Sequence, residues 1–267
     1  MSPLDRPRSD LTSNRISKED TVYQKELARF GKKLFVIRGV YIYATIIIGA
    51  VIAWASKDLG PFADAGHDQL WFWASLGVAS LGAMIRIITS GHAALGTSGR
   101  VKAAAEAAEL NTTGPYSLVR NPLYVGRIVN YTGIAMLSGS WVFGVIVLLL
   151  SILIYERVSI YEEDFLIGKF GDAHRQWAER VPMLWPRLTG WVKPKYSFWW
   201  KRMIWRERQK VFLLGTAVFV NWLARYDFQL AALPTEMTIW VYAWGALAAG
   251  FVLTEIMGLF GYYRDMR

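Results

Sequence analysis

Residues 141–160 read WVFGVIVLLLSILIYERVSI, and no charge interrupts them before Glu156. Coiled as a helix, twenty residues extend about 30 Å, the thickness of a bilayer's hydrocarbon core. The apolar side chains occupy every face rather than one stripe, as expected of a segment surrounded by lipid or buried in a bundle. Immediately upstream, Gly139 and Ser140 are all that separates this run from another apolar stretch, residues 123–138. Two such runs joined so briefly predict a tight antiparallel helical hairpin. The upstream arm is short and carries glycines, which predicts a tilted or partly embedded helix.

Outward from the hairpin, further apolar blocks lie at 38–56, 69–89, 210–226 and 238–262. The fold expected is all-α, a multi-pass transmembrane bundle of about six spans. The 267 residues are 54% hydrophobic, with thirteen each of Trp, Tyr and Phe. There is no Cys, which excludes disulfides, thiol nucleophiles and Cys-ligated metals. The three histidines lack metal-ligand spacing, and no metal site is expected. The net charge of +9 falls beside hydrophobic runs, so it points to lipid headgroups and topology rather than to nucleic acid.

Charge alternates between the connecting segments. Arg6, Arg8, Arg15, Lys18, Lys25, Arg29, Lys32 and Lys33 precede the first run, whereas Asp58, Asp64 and Asp68 outnumber Lys57 after it. The segment after residue 160 is rich in Lys and Arg again. The positive-inside rule then puts both termini, and the long polar connections, in the cytoplasm. Residues 1–20 are polar and lack the apolar core of a signal peptide, and residues 1–37 read as a cytoplasmic lead-in. A helix start near Ser17 would set Tyr23, Leu27, Phe30 and Leu34 on one face, suited to lying on a membrane surface. Three regions result: 1–37, a core over 38–190, and 191–267 with two added spans. Phe198, Trp199, Trp200 and Trp205, with Lys201, Arg202 and Arg206, read as an interfacial aromatic and basic belt. Arg86, Arg127 and Glu156 lie near the cytoplasmic ends of their spans, where charge favours a shared polar cavity; Glu255 is a weaker instance.

Two segments carry residues suited to chemistry. In Gly114-Pro115-Tyr116 through Arg120-Asn121-Pro122, then Tyr124 and Gly126, a loop becomes a helix. Asn121 fits the N-cap and Pro122 the first helical position. The free N–H groups of such a start, beside Arg120, suit an anion. In the second segment Glu162 and Glu163 end an acidic helix. Gly171 suits a stop, Asp172 a new cap, and Pro182 follows Arg180 and Val181. Paired carboxylates suit a cation or the hydroxyls of a ribose, or are simply a solvated helix face.

In order and spacing the two segments together resemble the isoprenylcysteine carboxyl methyltransferase and phospholipid methyltransferase superfamily of integral membrane methyltransferases. The resemblance covers roughly residues 81–186, and Asn121 stands where that family usually has His. Asn donates and accepts hydrogen bonds but does not titrate, so cofactor binding survives the exchange and proton transfer there does not.

The resemblance implies an S-adenosylmethionine-dependent methyltransferase acting on a lipid or prenylated acceptor at the cytoplasmic membrane interface. It implies cofactor contacts from Tyr116, Asn121, Pro122, Tyr124, Gly126, Glu162, Glu163, Val181 and Pro182. Arg120, Arg127 or Arg180 would hold an anionic acceptor, and Glu163 would serve as base for an amine. No Gly-x-Gly-x-x-Gly loop of the soluble type occurs. Two alternatives stand beside this reading: an NADPH-dependent membrane reductase of the sterol-reductase type, and a non-enzymatic scaffold that kept the fold.

Overall fold

The computed structural model describes residues 25–57, 65–97, 107–230 and 238–264. The expected helix start at Ser17, the N-terminal basic residues up to Lys18 and Tyr23 lie outside these residues, as do the loop charges Asp58 and Asp64. The described chain is all-helical. In order it forms α1 (Lys25–Ile37), α2 (Tyr41–Ala55), α3 (Ala65–His92), a 3-10 turn (Gly114–Ser117), α4 (Pro122–Met136), α5 (Trp141–Phe170), α6 (Asp172–Ala178), α7 (Trp200–Arg225) and α8 (Thr238–Leu259).

Every apolar run coincides with a helix, yet length and composition fit fewer spans than six. Among the described residues three helices are long and apolar enough to cross a membrane: His67–His92, Trp141–Phe170 and Ile239–Leu259. A fourth is reached if α1 and α2, bent by 66° at their junction, count as one broken span. The fifteen residues of α4 reach only about 22 Å, and α7 opens with a run of charges. Conversely, the thirty residues of α5 extend about 45 Å. It is thus about a third longer than a hydrocarbon layer of about 30 Å needs, and Glu162 and Glu163 lie in its polar final third.

The hairpin turns through Leu137–Ser140. Gly139 takes a positive φ of 88°, and the Ser140 hydroxyl accepts from the Phe143 N–H and caps α5. The closest packing joins α3 to α4. A Cβ added to Gly82 would meet Asn130 N at 2.3 Å, and one added to Gly133 would meet Ala79 N at the same distance. Small residues let the two backbones approach, and Asn130 Nδ2 donates to the Ala79 carbonyl at 2.8 Å.

Helix α7 packs on α2, α3 and α8. It begins ten residues before the apolar run at 210 and turns much of the expected belt inward. Arg202, Trp205 and Glu207 are buried, whereas Trp199 and Trp200 are exposed. Arg202 donates to the carbonyls of Ala93 and Ala94, which is a structural tie rather than an anchor to headgroups. Helix α8 rests on α7, and its Ile239, Val252, Leu253, Ile256 and Leu259 stay exposed, an apolar surface suited to lipid.

Candidate active site at the α4 N-terminus

The two motif segments meet where α4 begins. Asn121 occupies the N-cap position of α4 and Pro122 its first residue, but the Asn121 side chain does not cap the helix. Its Nδ2 instead donates to the Met183 carbonyl at 3.3 Å. Arg120 is a clamp. Its Nε and Nη2 grip Glu163 at 2.7 and 3.0 Å. Nη1 donates to the carbonyls of Ala178 and Val181, and the Arg120 N–H donates to the Pro182 carbonyl at 2.8 Å. A planar guanidinium can serve a carboxylate and two carbonyls at once, which an ammonium cannot. One residue thereby ties the loop before α4 to α5 and to the chain leaving α6.

Beside this clamp lies a cavity of about 630 Å³, lined by residues of α1, α2, α3, α4, α5, α6 and α7 and by the chain around Asn111 and Tyr116. The volume suits a small-molecule ligand. Of the residues expected from the sequence, Tyr116, Arg120, Asn121, Pro122, Tyr124, Arg127 and Glu162 line it. The others stand off the wall. Gly126 sits in the α3–α4 contact, where an added Cβ would meet Arg86 Cγ at 2.6 Å. Glu163 is held in the clamp, Val181 is buried, and Pro182 lends its carbonyl to Arg120. Arg180 turns its Nε to the Gln176 carbonyl on the exposed side.

Within the cavity the Tyr124 hydroxyl donates to Glu162 Oε1 at 2.8 Å, and the Tyr124 ring stacks on Tyr155 at 5.0 Å. The Arg127 guanidinium lies over both rings, 5.8 and 5.7 Å from their centroids. Its Nε and Nη1 are buried without a hydrogen-bond acceptor. Burial pushes the Tyr116 hydroxyl up to about 12, so it is a neutral donor at any physiological pH. Behind the wall His174 is buried against Trp177, its ring edge-on at 5.5 Å, and neither ring nitrogen has a partner.

The α7 wall was not anticipated from the sequence. Glu207 forms a two-pronged pair with Arg86, both bonds 2.9 Å, and Ser90 Oγ donates to the same carboxylate at 2.7 Å. Arg206, Arg208, Gln209 and Lys210 line the cavity with it. The spacing of Arg202, Arg206 and Lys210, one turn apart, was the available signal, because i and i+4 share a helix face. Glu156 pairs with its neighbour Arg157 at 2.7 Å and does not line the cavity with Arg86 and Arg127. Glu255 pairs with Arg208 at 2.7 Å.

Residues 72–173 match the family described as phospholipid methyltransferase, a stretch running from α3 to the start of α6. A nickel-cobalt-cadmium resistance protein of Alcaligenes xylosoxydans xylosoxydans is 35% identical over 128 residues, covering 46% of this chain and 57% of that one. A cobalt-zinc-cadmium resistance protein of Cupriavidus metallidurans is 35% identical over 80 residues, 30% of this chain and 37% of the relative. The protein-S-isoprenylcysteine O-methyltransferase of Schizosaccharomyces pombe is 34% identical over 73 residues, 27% and 31% of the two chains. The matches thus span a little over half of the first relative and about a third of the other two. No solved structure matches. The stretch similar to the phospholipid methyltransferase family holds the start of α4 and the Glu162–Glu163 end of α5.

Proposed function

We propose that the protein is an S-adenosylmethionine-dependent methyltransferase that modifies a lipid or lipid-linked acceptor at the cytoplasmic edge of the membrane. The observation that carries this reading is the cavity itself. Its wall gathers Tyr116, Arg120, Pro122, Tyr124 and Glu162, residues through which the chain resembles that family, together with Asn121 and Arg127.

The donor set fits the cofactor. A sulfonium with an amino-acid tail and a nucleoside needs a carboxylate, aromatic faces, hydrogen-bonding groups and one cation for its own carboxylate. Glu162 offers the first, Tyr116, Tyr124 and Trp177 the second, and Asn111 and Asn121 the third. The unpartnered N–H groups of Arg127 offer the last. When bound, S-adenosylmethionine supplies a methyl group already activated by its sulfonium, so the protein's part is to position and to exclude water. Arg120 and Glu163 act by position, holding the loop before α4 against α5. Asn121 orients through hydrogen bonds and moves no proton. The exposed apolar surface of α8 and the broken α1–α2 unit support a membrane setting. The basic excess of the connecting segments supports cytoplasmic termini.

The resistance named for two relatives concerns those proteins. Among the described residues there is no group of three or more His, Asp or Glu placed to hold a metal ion.

Calorimetric titration of S-adenosylmethionine into the detergent-purified protein tests the proposal, with NADPH and a Glu162→Gln variant alongside. Saturable binding of the methyl donor that weakens in the variant is expected. Well-folded protein that ignores the methyl donor overturns the assignment, and binding of NADPH instead would replace it with the reductase.

A further inference from the structure

The cavity holds more positive charge than the methyl donor can use. Its wall contains Arg38, Arg86, Arg120, Arg127, Arg206, Arg208 and Lys210, against Glu109, Glu162 and Glu207. Three of the cations are neutralised by carboxylates: Arg86 by Glu207, Arg120 by Glu163 and Arg208 by Glu255. Glu109 is engaged by Lys195. Arg38, Arg127, Arg206 and Lys210 form no ion pair among the described residues, and only Glu162, facing Arg38 and Arg127, and the already paired Glu207, facing Arg206 and Lys210, offset them from further off. The sulfonium cofactor is itself cationic, so it cannot balance this excess. Uncompensated charge at a membrane edge is costly, and an anionic second occupant would relieve it.

Two of these cations come from α7, outside the family segment. Arg206 and Lys210 stand one helical turn apart on one face. Among the described residues the Arg206 Nη1 is buried without an acceptor, and the Lys210 ammonium donates to the Arg206 carbonyl. Arg38, which lines the same cavity, sits at the break between α1 and α2. Its Nη1 bonds the Phe35 carbonyl, and its guanidinium lies 3.4 Å from the Phe35 ring centroid. Around it Val36, Val40 and Tyr43 line the same cavity while remaining 52%, 63% and 42% exposed. Gln209 Nε2 donates to the Tyr43 hydroxyl at 3.0 Å, which joins α7 to α2 at this mouth. The opening is therefore apolar outside and cationic inside, the profile of an amphiphile with an anionic head.

We infer that Arg206 and Lys210 of α7, with Arg38 of the α1–α2 break, form a phosphate subsite for the headgroup of an anionic phospholipid, whose chains rest against Val36, Val40 and Tyr43. A tetrahedral phosphate presents oxygens toward both walls, and it suits a forked guanidinium beside a point-charge ammonium. This rests on the proposed function only in taking the lipid as acceptor.

The test reads lipid binding without the methyl donor. Full-length protein in detergent is titrated with dihexanoyl phosphatidylglycerol, dihexanoyl phosphatidylcholine and inorganic phosphate, and binding is followed by tryptophan fluorescence. Phosphatidylglycerol is expected to bind more tightly than both others, and its binding to weaken with salt. Arg206→Gln is expected to weaken it at least about tenfold, the loss of one charge-assisted contact. Arg38→Gln, at the α1–α2 break, is expected to act in the same direction. The melting temperature and a separate S-adenosylmethionine titration report whether each variant is folded. Equal binding of phosphatidylcholine and phosphatidylglycerol overturns the subsite, as does undiminished phosphatidylglycerol binding by folded variants. Inorganic phosphate binding as tightly as the lipid overturns the lipid source. Loss of the methyl-donor reading alone leaves these lipid outcomes to be read on their own.

Discussion

Arg86 and Glu207 are 121 residues apart in sequence and meet in a buried two-pronged ion pair, both bonds 2.9 Å. Their side chains are 5% and 4% exposed. Arg86 also donates to the Leu123 carbonyl at 3.0 Å, beside the start of α4. The pair thus fastens α7, outside the family segment, to the two helices that shape the cavity.

Breaking this pair on one side strands a buried charge. Glu207→Ala is expected to destabilise the protein by about 3–5 kcal/mol. The paired replacement Arg86→Met with Glu207→Leu is expected to cost much less. Melting of the detergent-solubilised variants checks this, and a double variant as unstable as the single one would contradict it.

The Arg120 clamp depends on shape as well as charge. Arg120→Lys keeps the charge but loses the fork to Glu163 and at least one carbonyl of Ala178 and Val181. A loss of about 2–3 kcal/mol is expected, together with weaker S-adenosylmethionine binding. Thermal melts and calorimetry on the same preparation measure both.

The α3–α4 contact leaves no space for a methyl group at its glycines. Gly133→Ala would place a Cβ 2.3 Å from Ala79 N and is expected to cost about 1–3 kcal/mol through overpacking. Gly77 lies on the same α3 with nothing within 4 Å of an added Cβ, so Gly77→Ala is expected to be neutral or slightly stabilising. The two melting temperatures should move apart.

Burial holds the His174 imidazole below the usual histidine value, and the Arg120 guanidinium adds to the effect. The unfolded chain takes up this proton near pH 6.5, whereas the folded chain does so only at lower pH. The contribution to stability is therefore complete above about pH 6.5 and declines as the pH falls below it. Melts between about pH 7.5 and 5 should show a decline that is shallower in His174→Gln. Parallel curves would remove His174 as the cause.

The helices were legible because lipid demands long apolar runs with internally satisfied backbones. Residues 141–160 and the Gly139–Ser140 turn announce the hairpin by composition alone. The number of spans was less legible, since an apolar run does not state whether its helix crosses, tilts or breaks. The α1–α2 bend and the fifteen residues of α4 are matters of geometry. In the site, Asn121 and Pro122 are read correctly as a helix start by local preference. The Asn121 side chain nevertheless serves Met183, a partner 62 residues away. The acidic pair Glu162 and Glu163 looks uniform in sequence. Helical rotation of about 100° per residue turns Glu162 to the cavity with Tyr124 and Glu163 to the Arg120 clamp.

The sequence by itself determined that the described residues are helical, where the apolar runs of those helices lie, and which family's motifs they resemble. Those properties follow from local composition and short-range spacing. The tertiary structure alone decided that Arg120 is a clamp, that Arg180 stays outside the cavity, and that α7 supplies part of its wall. Each depends on which face of a helix meets another helix more than forty residues away, and packing rather than local preference sets that choice.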